Sequence, residues 1–312
     1  MLQPEQSGNT DGKYQLLVKT NGFPAVSQDY GLTWSEKAVY GGWYGAAVSD
    51  TGQHQVVSGQ SLNIYVSNDF GNTWNARYNV SSFRRARVSS SGQFMIVSDV
   101  NSNLYYSSDY GLTWGLLASY KGIDLDMSWD GRYIVAHGPY ATSVNVSSDF
   151  GQTWVNKPLS GVYELRGNPS MSKDGRYQIA GGLETYVYRT VTYRRARVWK
   201  SSDYGVTWTL DTSVTPGMNS YPYPCYTAMS GDGRYWTASY VSTAVTRISS
   251  NYGATWGALP TSGANMAISH DGKYMLASQS DQVLRSVDYG NSFMDANPLY
   301  TYALPMAINK YS

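Results

Sequence analysis

Ser107-Ser108-Asp109-Tyr110-Gly111-Leu112-Thr113-Trp114 is the stretch around which the chain is organised. The same order, Ser-x-Asp-Tyr/Phe-Gly-x-Thr-Trp, stands at 27–34, 67–74, 107–114, 147–154 and 201–208, and in altered form at 249–256 and 286–293. Each copy reads as a tight turn between two strands. The Ser hydroxyl and the Asp carboxylate accept hydrogen bonds from turn amides, and Gly supplies the positive φ of the bend. The Trp leads into the next strand and packs back under the turn. Asp29, Asp69, Asp109, Asp149, Asp203 and Asp288 are therefore read as structural, together with Asn251, which takes the Asp position in the sixth copy. Ser292 and Phe293 replace Thr-Trp in the seventh. Asn still makes an Asx-turn and Phe still packs, so the turn is expected in both altered copies.

A second repeat, Ser/Thr-x-Asp-Gly-Lys/Arg-Tyr in its fullest form, interleaves with the first. Its glycines are Gly12, Gly52, Gly92, Gly131, Gly175, Gly233 and Gly272, with successive steps of 40, 40, 39, 44, 58 and 39. Asp-Gly between alternating apolar runs is a hairpin signal. Each period thus reads strand, Asp-Gly turn, strand, variable loop, strand, Ser-x-Asp turn, strand, variable loop. Four strands in about forty residues is the period of a propeller blade. The expected fold is an all-β, seven-bladed propeller of four-stranded antiparallel blades, with residues 1–312 forming one closed array and almost no helix. The chain starts on Thr10-Asp11-Gly12 and the second strand of a blade, with no first strand expected before it, whereas Pro305–Asn309 resembles the inner strand 265–269. The C-terminal strand is therefore expected to complete the N-terminal blade, and closure of that kind protects strand edges.

The Ser-x-Asp-Tyr/Phe-Gly-x-Thr-Trp turns resemble the Asp-box, also called the BNR repeat, of sialidases, sortilin-type receptors, xyloglucanase-type glycoside hydrolases and photosystem II stability factors. The resemblance covers seven copies between residues 27 and 293 and implies the same propeller architecture. It also implies a ligand face formed by the variable loops. It leaves the activity open, because that superfamily holds both enzymes and binding proteins.

Lys plus Arg is 23 against 22 for Asp plus Glu, so the net charge of +1 gives no general attraction to nucleic acid or membrane. Charged residues are only 14% of a chain with 29 Tyr and 10 Trp, a palette suited to contacts with sugars or proteins. Cys225 is the only cysteine, which excludes an intrachain disulfide. No apolar run is long enough to span a bilayer, and residues 1–9 lack the pattern of a classical signal peptide. An extracellular or particle surface is the favoured location. His54, His137 and His270 are far apart in the chain and without clustered ligands, so neither metal nor cofactor is expected.

Two insertions break the forty-residue spacing: 184–198, which alternates as a protruding two-stranded ribbon, and the Tyr- and Pro-rich 215–226. Insertions collect on the functional face of a repeat protein. The candidate ligand-binding residues there are Trp43, Tyr44, Tyr163, Tyr186, Tyr188, Tyr221, Tyr223, Tyr300 and Tyr302. A glycosidase requires two carboxyl groups about 5 to 9 Å apart. Asp124 or Asp126 with Glu164 is the best pair the sequence offers. The Arg-Ile-Pro motif of sialidases is absent. The main reading is a non-enzymatic glycan- or protein-binding propeller, with a glycoside hydrolase and an intracellular assembly scaffold as alternatives.

Alignment of the inner strands on their Asp-Gly turns sets Arg85 opposite Asp124 and Arg87 opposite Asp126 on neighbouring blades. One reading is a two-rung ionic ladder that fixes blade register. The other is an electrostatic spot at the channel mouth, where Arg84 or Arg166 recruits an anionic group.

Overall fold

In the computed structural model the described residues are 6–8, 13–18, 21–30, 32–59, 63–79, 82–119, 121–188, 191–214, 225–240, 245–261, 265–279 and 282–295. They form seven antiparallel sheets, each a meander of four strands in chain order, arranged as the blades of a propeller. The inner strands are, in order, Gln6–Gly8, Trp43–Val48, Phe83–Val88, Asp124–Met127, Val162–Leu165, Cys225–Met229 and Met266–Ile268. In the fifth blade a short second piece, Ser170–Met171, continues the inner strand after an interruption. No helix occurs among the described residues.

The first blade corrects the expected closure. Its inner strand is Gln6–Gly8 from the N-terminal segment, paired through Gln6 with Leu17 and Gly8 with Gln15. These residues stand at the same offset from Gly12 as Met266–Ile268 do from Gly272. Gln-Ser-Gly carries no apolar side chain, so a search for hydrophobic alternation passes over it. Pro305–Asn309, to which the sequence assigned this place, lies outside the described residues.

The core lies between blades rather than within them. Val56, Ile64 and Val66 of the second blade pack on Phe83, Met95 and Val97 of the third. Ile96 and Leu104 of the third pack in turn on Leu125 and Ile134 of the fourth. The second strand of a blade, as in Gln55–Gly59, Met95–Asp99 and Ile134–His137, is thus buried on both faces, which explains why alternation along it is imperfect.

The Ser-x-Asp turns close as their residue types require. Asp69 accepts the Thr73 hydroxyl at 2.6 Å and its amide at 2.8 Å, while Ser67 donates to the same carboxylate at 2.8 Å and accepts the Gly71 amide at 2.9 Å. In the altered copies Asn251 accepts the Thr255 amide at 2.9 Å but donates its Nδ2 to the Thr255 hydroxyl at 2.8 Å, reversing that bond, while Asp288 accepts both the amide and the hydroxyl of Ser292. The indoles of Trp74, Trp114, Trp154 and Trp208 donate to the glycine carbonyl of their own turn at 2.8–3.2 Å. Trp256 instead donates to Asp211, because the carbonyl of Gly253 is taken by Lys200.

The structure adds a feature that the motif alone did not reveal: the aromatic residue before the turn glycine is itself left-handed. Tyr30, Phe70, Tyr110, Phe150, Tyr204, Tyr252 and Tyr289 have φ of 59–64°. A bulky side chain in this region is an outlier that surrounding contacts must hold. Those contacts come from the preceding blade. The ring that follows each Asp-Gly turn packs on the left-handed aromatic of the next blade, in the pairs Tyr14–Phe70, His54–Tyr110, Phe94–Phe150, Tyr133–Tyr204, Tyr177–Tyr252 and Tyr235–Tyr289. Tyr274 of the last blade then meets Tyr30 of the first at 6.5 Å, which closes the circle. Tyr14, His54, Phe94, Tyr133, Tyr177 and Tyr235 also lie over the turn glycine of the next blade. A Cβ on Gly272, at φ +80°, would stand 2.1 Å from the Tyr235 ring.

Successive blades are also stitched by backbone bonds at the turn face. Asp50, Ser90, Trp129 and Lys173 each donate an amide to the carbonyl of Ser90, Trp129, Lys173 and Gly231, respectively. Asp232 donates to His270.

Two predictions follow from these turns. Gly272→Ala meets both a left-handed backbone and the Tyr235 ring, and urea unfolding should show a loss of about 2 to 5 kcal/mol. Gly115→Ala, which meets nothing within 4 Å, should change stability by less than about 0.5 kcal/mol. The second prediction concerns acid. In Asp29, Asp69, Asp109 and Asp203 burial pushes the carboxyl up, but hydrogen bonds from the turn outweigh it and hold each below the ordinary value. In Asp149 and Asp288 the hydrogen bonds from Thr153 and Ser292 are themselves the leading cause of the lowering. A carboxyl lowered on folding contributes stability above its unfolded value and loses it as pH falls through the folded value. The melting temperature should therefore hold as pH drops towards about 4 and fall below it, as scanning calorimetry across that range would show.

Candidate functional site at the ring centre

The shared offset from the Asp-Gly turn brings side chains of successive inner strands to one level. At one level stand Arg85, Asp124 and Tyr226; at the next stand Ala47, Arg87, Asp126, Ala228 and Ala267. Arg85 Nε donates to Asp124 Oδ1 at 2.9 Å, and Arg87 Nε donates to Asp126 Oδ1 at 2.7 Å. Arg85 and Asp126 are almost fully buried, whereas the Arg87 side chain keeps 23% of its surface. Asp126 Oδ2 also accepts the Met171 amide at 2.8 Å. This carboxylate therefore joins the third, fourth and fifth blades.

Tyr226 belongs to the sixth blade, yet it lies within electrostatic reach of Arg85 and Asp124 on the third and fourth. Blades that are not neighbours reach each other only across the axis, so these three groups mark the ring centre. Burial pushes the Tyr226 hydroxyl up, keeping it a proton donor at neutral pH. Beside the pair, the Arg84 guanidinium carbon lies 5.3 Å from the centre of the Tyr44 ring.

Towards the fifth blade, Arg166 Nε stands 2.7 Å from Glu164 Oε1. Neither atom has a well-aligned hydrogen bond, so the contact is an ion pair made without aiming the N–H. The guanidinium of Arg166 also lies 5.1 Å from the Tyr140 ring centre. The inserted ribbon is regular: Gln178–Tyr188 pairs with Val191–Ser201 along its whole length. Glu184 receives Arg195 at 2.6 Å and Arg197 at 3.1 Å. Burial pushes its carboxyl up, and these two arginines bring it below its usual range. The Arg194 guanidinium carbon lies over the Tyr163 ring, 3.7 Å from its centre.

The hydrolase candidates come out as bound groups. Asp124 and Asp126 are held by Arg85 and Arg87, and Glu164 faces Arg166, so none is presented as a free acid or base. Among the described residues no three His, Cys, Asp or Glu side chains are grouped to hold a metal ion.

Trp43 requires a correction. It is fully buried, donates its indole N–H to the Gly22 carbonyl at 3.0 Å and meets Tyr65 edge-on, so it is core and presents no face to a ligand. Its place in the packed stretch before Gly45 explains this burial. Tyr44 is half-buried and Tyr163 is exposed. Tyr186 and Tyr188 occupy ribbon positions opposite Tyr193 and Val191, with their side chains outside the described set. Tyr221, Tyr223, Tyr300 and Tyr302 lie outside the described residues.

Sequence reasoning missed Tyr40 and Tyr140, exposed by 67% and 65%, and also Phe23 and Tyr193. All four lie in variable connections, and in a meander those connections share the end opposite both turn repeats. Tyr226 was missed too, although it stands at the offset of Arg85 and Asp124.

No protein-family model matches the sequence, and no curated protein does. Solved structures do. A GH74 xyloglucanase from Xanthomonas campestris aligns over 99% of this chain and 54% of its own, with 12% identity and a TM-score of 0.70. The chain thus spans about half the length of that enzyme. YCF48 from Cyanidioschyzon merolae aligns over 93% of this chain and 96% of its own, at 15% identity and TM-score 0.64. A structure titled YCF48 bound to D1 peptide aligns over 93% of this chain and 91% of its own, at 14% identity and TM-score 0.60. At these identities the likeness is one of fold, and it places the chain among the β-propellers.

The double contact of Asp126 sets the prediction for this region. Asp126→Ala leaves Arg87 and the Met171 amide without their acceptor and should cost about 3 kcal/mol, the low end for a broken buried pair because Arg87 is partly solvated. Arg87→Ala with Asp126→Ala should cost less than the sum of the two single changes. Strictly additive losses in urea would show that the pair is not coupled.

Proposed function

We propose that this chain is a binding propeller rather than a catalyst, that its seven Ser-x-Asp turns are Asp-boxes, and that it recognises a protein or glycan partner on the loop face. The observation that carries this reading is the state of the carboxylates: Asp124, Asp126, Glu164 and Glu184 each face an arginine. A glycosidase needs one carboxyl held as a proton donor and another left open towards substrate, and this arrangement favours neither. Exposed Tyr40, Tyr140 and Tyr163 and the arginine-rich ribbon supply aromatic and cationic contacts of the kind that dominate recognition surfaces. The likeness to YCF48, one structure of which holds a peptide, supports a polypeptide over a sugar as partner. The likeness to a xyloglucanase keeps hydrolysis as the alternative.

A peptide array, a glycan array and a panel of chromogenic glycosides with xyloglucan test the reading together. Binding without turnover is the expected result, and release of reducing sugar from any substrate would overturn it. Replacing Tyr40, Tyr140 and Tyr163 by Ala should weaken that binding about tenfold or more. The melting temperature should stay within about 2 °C, because exposed positions contribute little to stability.

A further inference from the structure

Arg84 differs from the arginines around it. Arg85, Arg87, Arg195 and Arg197 each hold a carboxylate, and Arg166 has Glu164 at 2.7 Å. Arg84 has no hydrogen bond or ion pair to any described residue, and its Nε is buried without an acceptor. The Tyr44 ring is its one close partner of opposite character. The carboxylate in reach, Asp124, is already engaged by Arg85. Burial disfavours the charged form of Arg84, and the like charge of Arg85 adds to this. Arg84, Arg85 and Asp124 thus bring two cations and one anion together, with the Tyr226 hydroxyl nearby.

A guanidinium held half out of water without an acceptor is unfavourable in the empty protein. A ligand oxyanion would supply what it lacks. The planar fork of an arginine matches a carboxylate at two points, and charge-assisted bonds of this kind are the strong ones. We propose that the ring centre binds a carboxylate group of the partner, with Arg84 as its main anchor and Tyr44 as the plane that orients the guanidinium. This rests on the binding reading above and names the chemistry of its ligand. The carboxylate can come from an acidic peptide or from a sugar acid, and the site chemistry is shared by both.

The test measures affinity by calorimetry and melting temperature for wild type and variants. The probes are an acetylated Glu-Glu-Glu peptide and glucuronate, with the Gln-Gln-Gln peptide and methyl glucuronate ester as uncharged controls at equal ionic strength. At least one carboxylate should bind and raise the melting temperature, and its control should not. A response to the peptide alone assigns a polypeptide source, and a response to glucuronate alone assigns a sugar acid. Arg84→Met should weaken the response about tenfold or more, the loss of one charge-assisted pair, and should melt no lower than wild type without ligand. Arg84→Lys, which keeps the charge but loses the fork, should also bind more weakly. If Arg84→Met does not fold, Arg84→Lys and Arg84→Gln carry the comparison. Unchanged affinity in these variants, or no carboxylate response in wild type, would overturn the site. The binding reading would still stand if the arrays show a partner, whereas turnover of a glycoside would overturn that reading and leave the carboxylate result intact.

Discussion

The contact on which the ring depends is a single aromatic side chain reaching from one blade to the next. Among the described residues, the ring after an Asp-Gly turn lies over the glycine of the following blade's Asp-Gly turn at six seams and against that blade's left-handed aromatic at all seven. Isolated four-stranded sheets bury too little to stand alone, so the energy that folds each blade comes from its neighbours. The interlock sets the angle at which neighbours meet, and it explains two costly features at once. Glycine is required where a Cβ would strike the ring, and a strained aromatic backbone is tolerated because the ring of the preceding blade holds it.

Much of this was legible because one physical demand repeats seven times. The Asp-Gly and Ser-x-Asp turns recur at blade period, and their residue types dictate local geometry with little help from the rest of the chain. Offsets from those turns also carry over to the inner strands, which is why Arg85 can be set against Asp124 by counting alone. What counting does not supply is burial. Trp43 reads as a ligand-binding aromatic beside Tyr44, yet the strand slips register between Trp43 and Gly45, and Trp43 packs into the core with Leu16 and Val57. The strand Gln6–Gly8 was hidden for the converse reason: it is paired through its backbone and has no apolar side chain to announce it.

The same limit applies at the ring centre. Six arginines look alike in the two Arg-Arg-Ala-Arg tetrads, 84–87 on the inner strand and 194–197 on the ribbon, because a tetrad says nothing about which guanidinium meets a carboxylate. Alternation on the strand sends Arg85 and Arg87 to the next blade and leaves Arg84 facing Tyr44. On the ribbon, Arg195 and Arg197 share Glu184 while Arg194 turns to Tyr163. Two similar strings thus become two different electrostatic environments, one enclosed by the ring and one raised above it.

The aromatic circle has an optical consequence. Its seven ring pairs are all inclined, by 27–43°, at centre distances of 4.8–6.5 Å. Chromophores this close couple their excited states, and pairs that are neither parallel nor perpendicular rotate polarised light. Because the chain repeats every pair with the same handedness, their contributions add instead of cancelling. Near-ultraviolet circular dichroism therefore reads the ring as a sum over its seams, carried by the pairs that join two absorbing rings and not by His54–Tyr110, and it diminishes with each seam that opens.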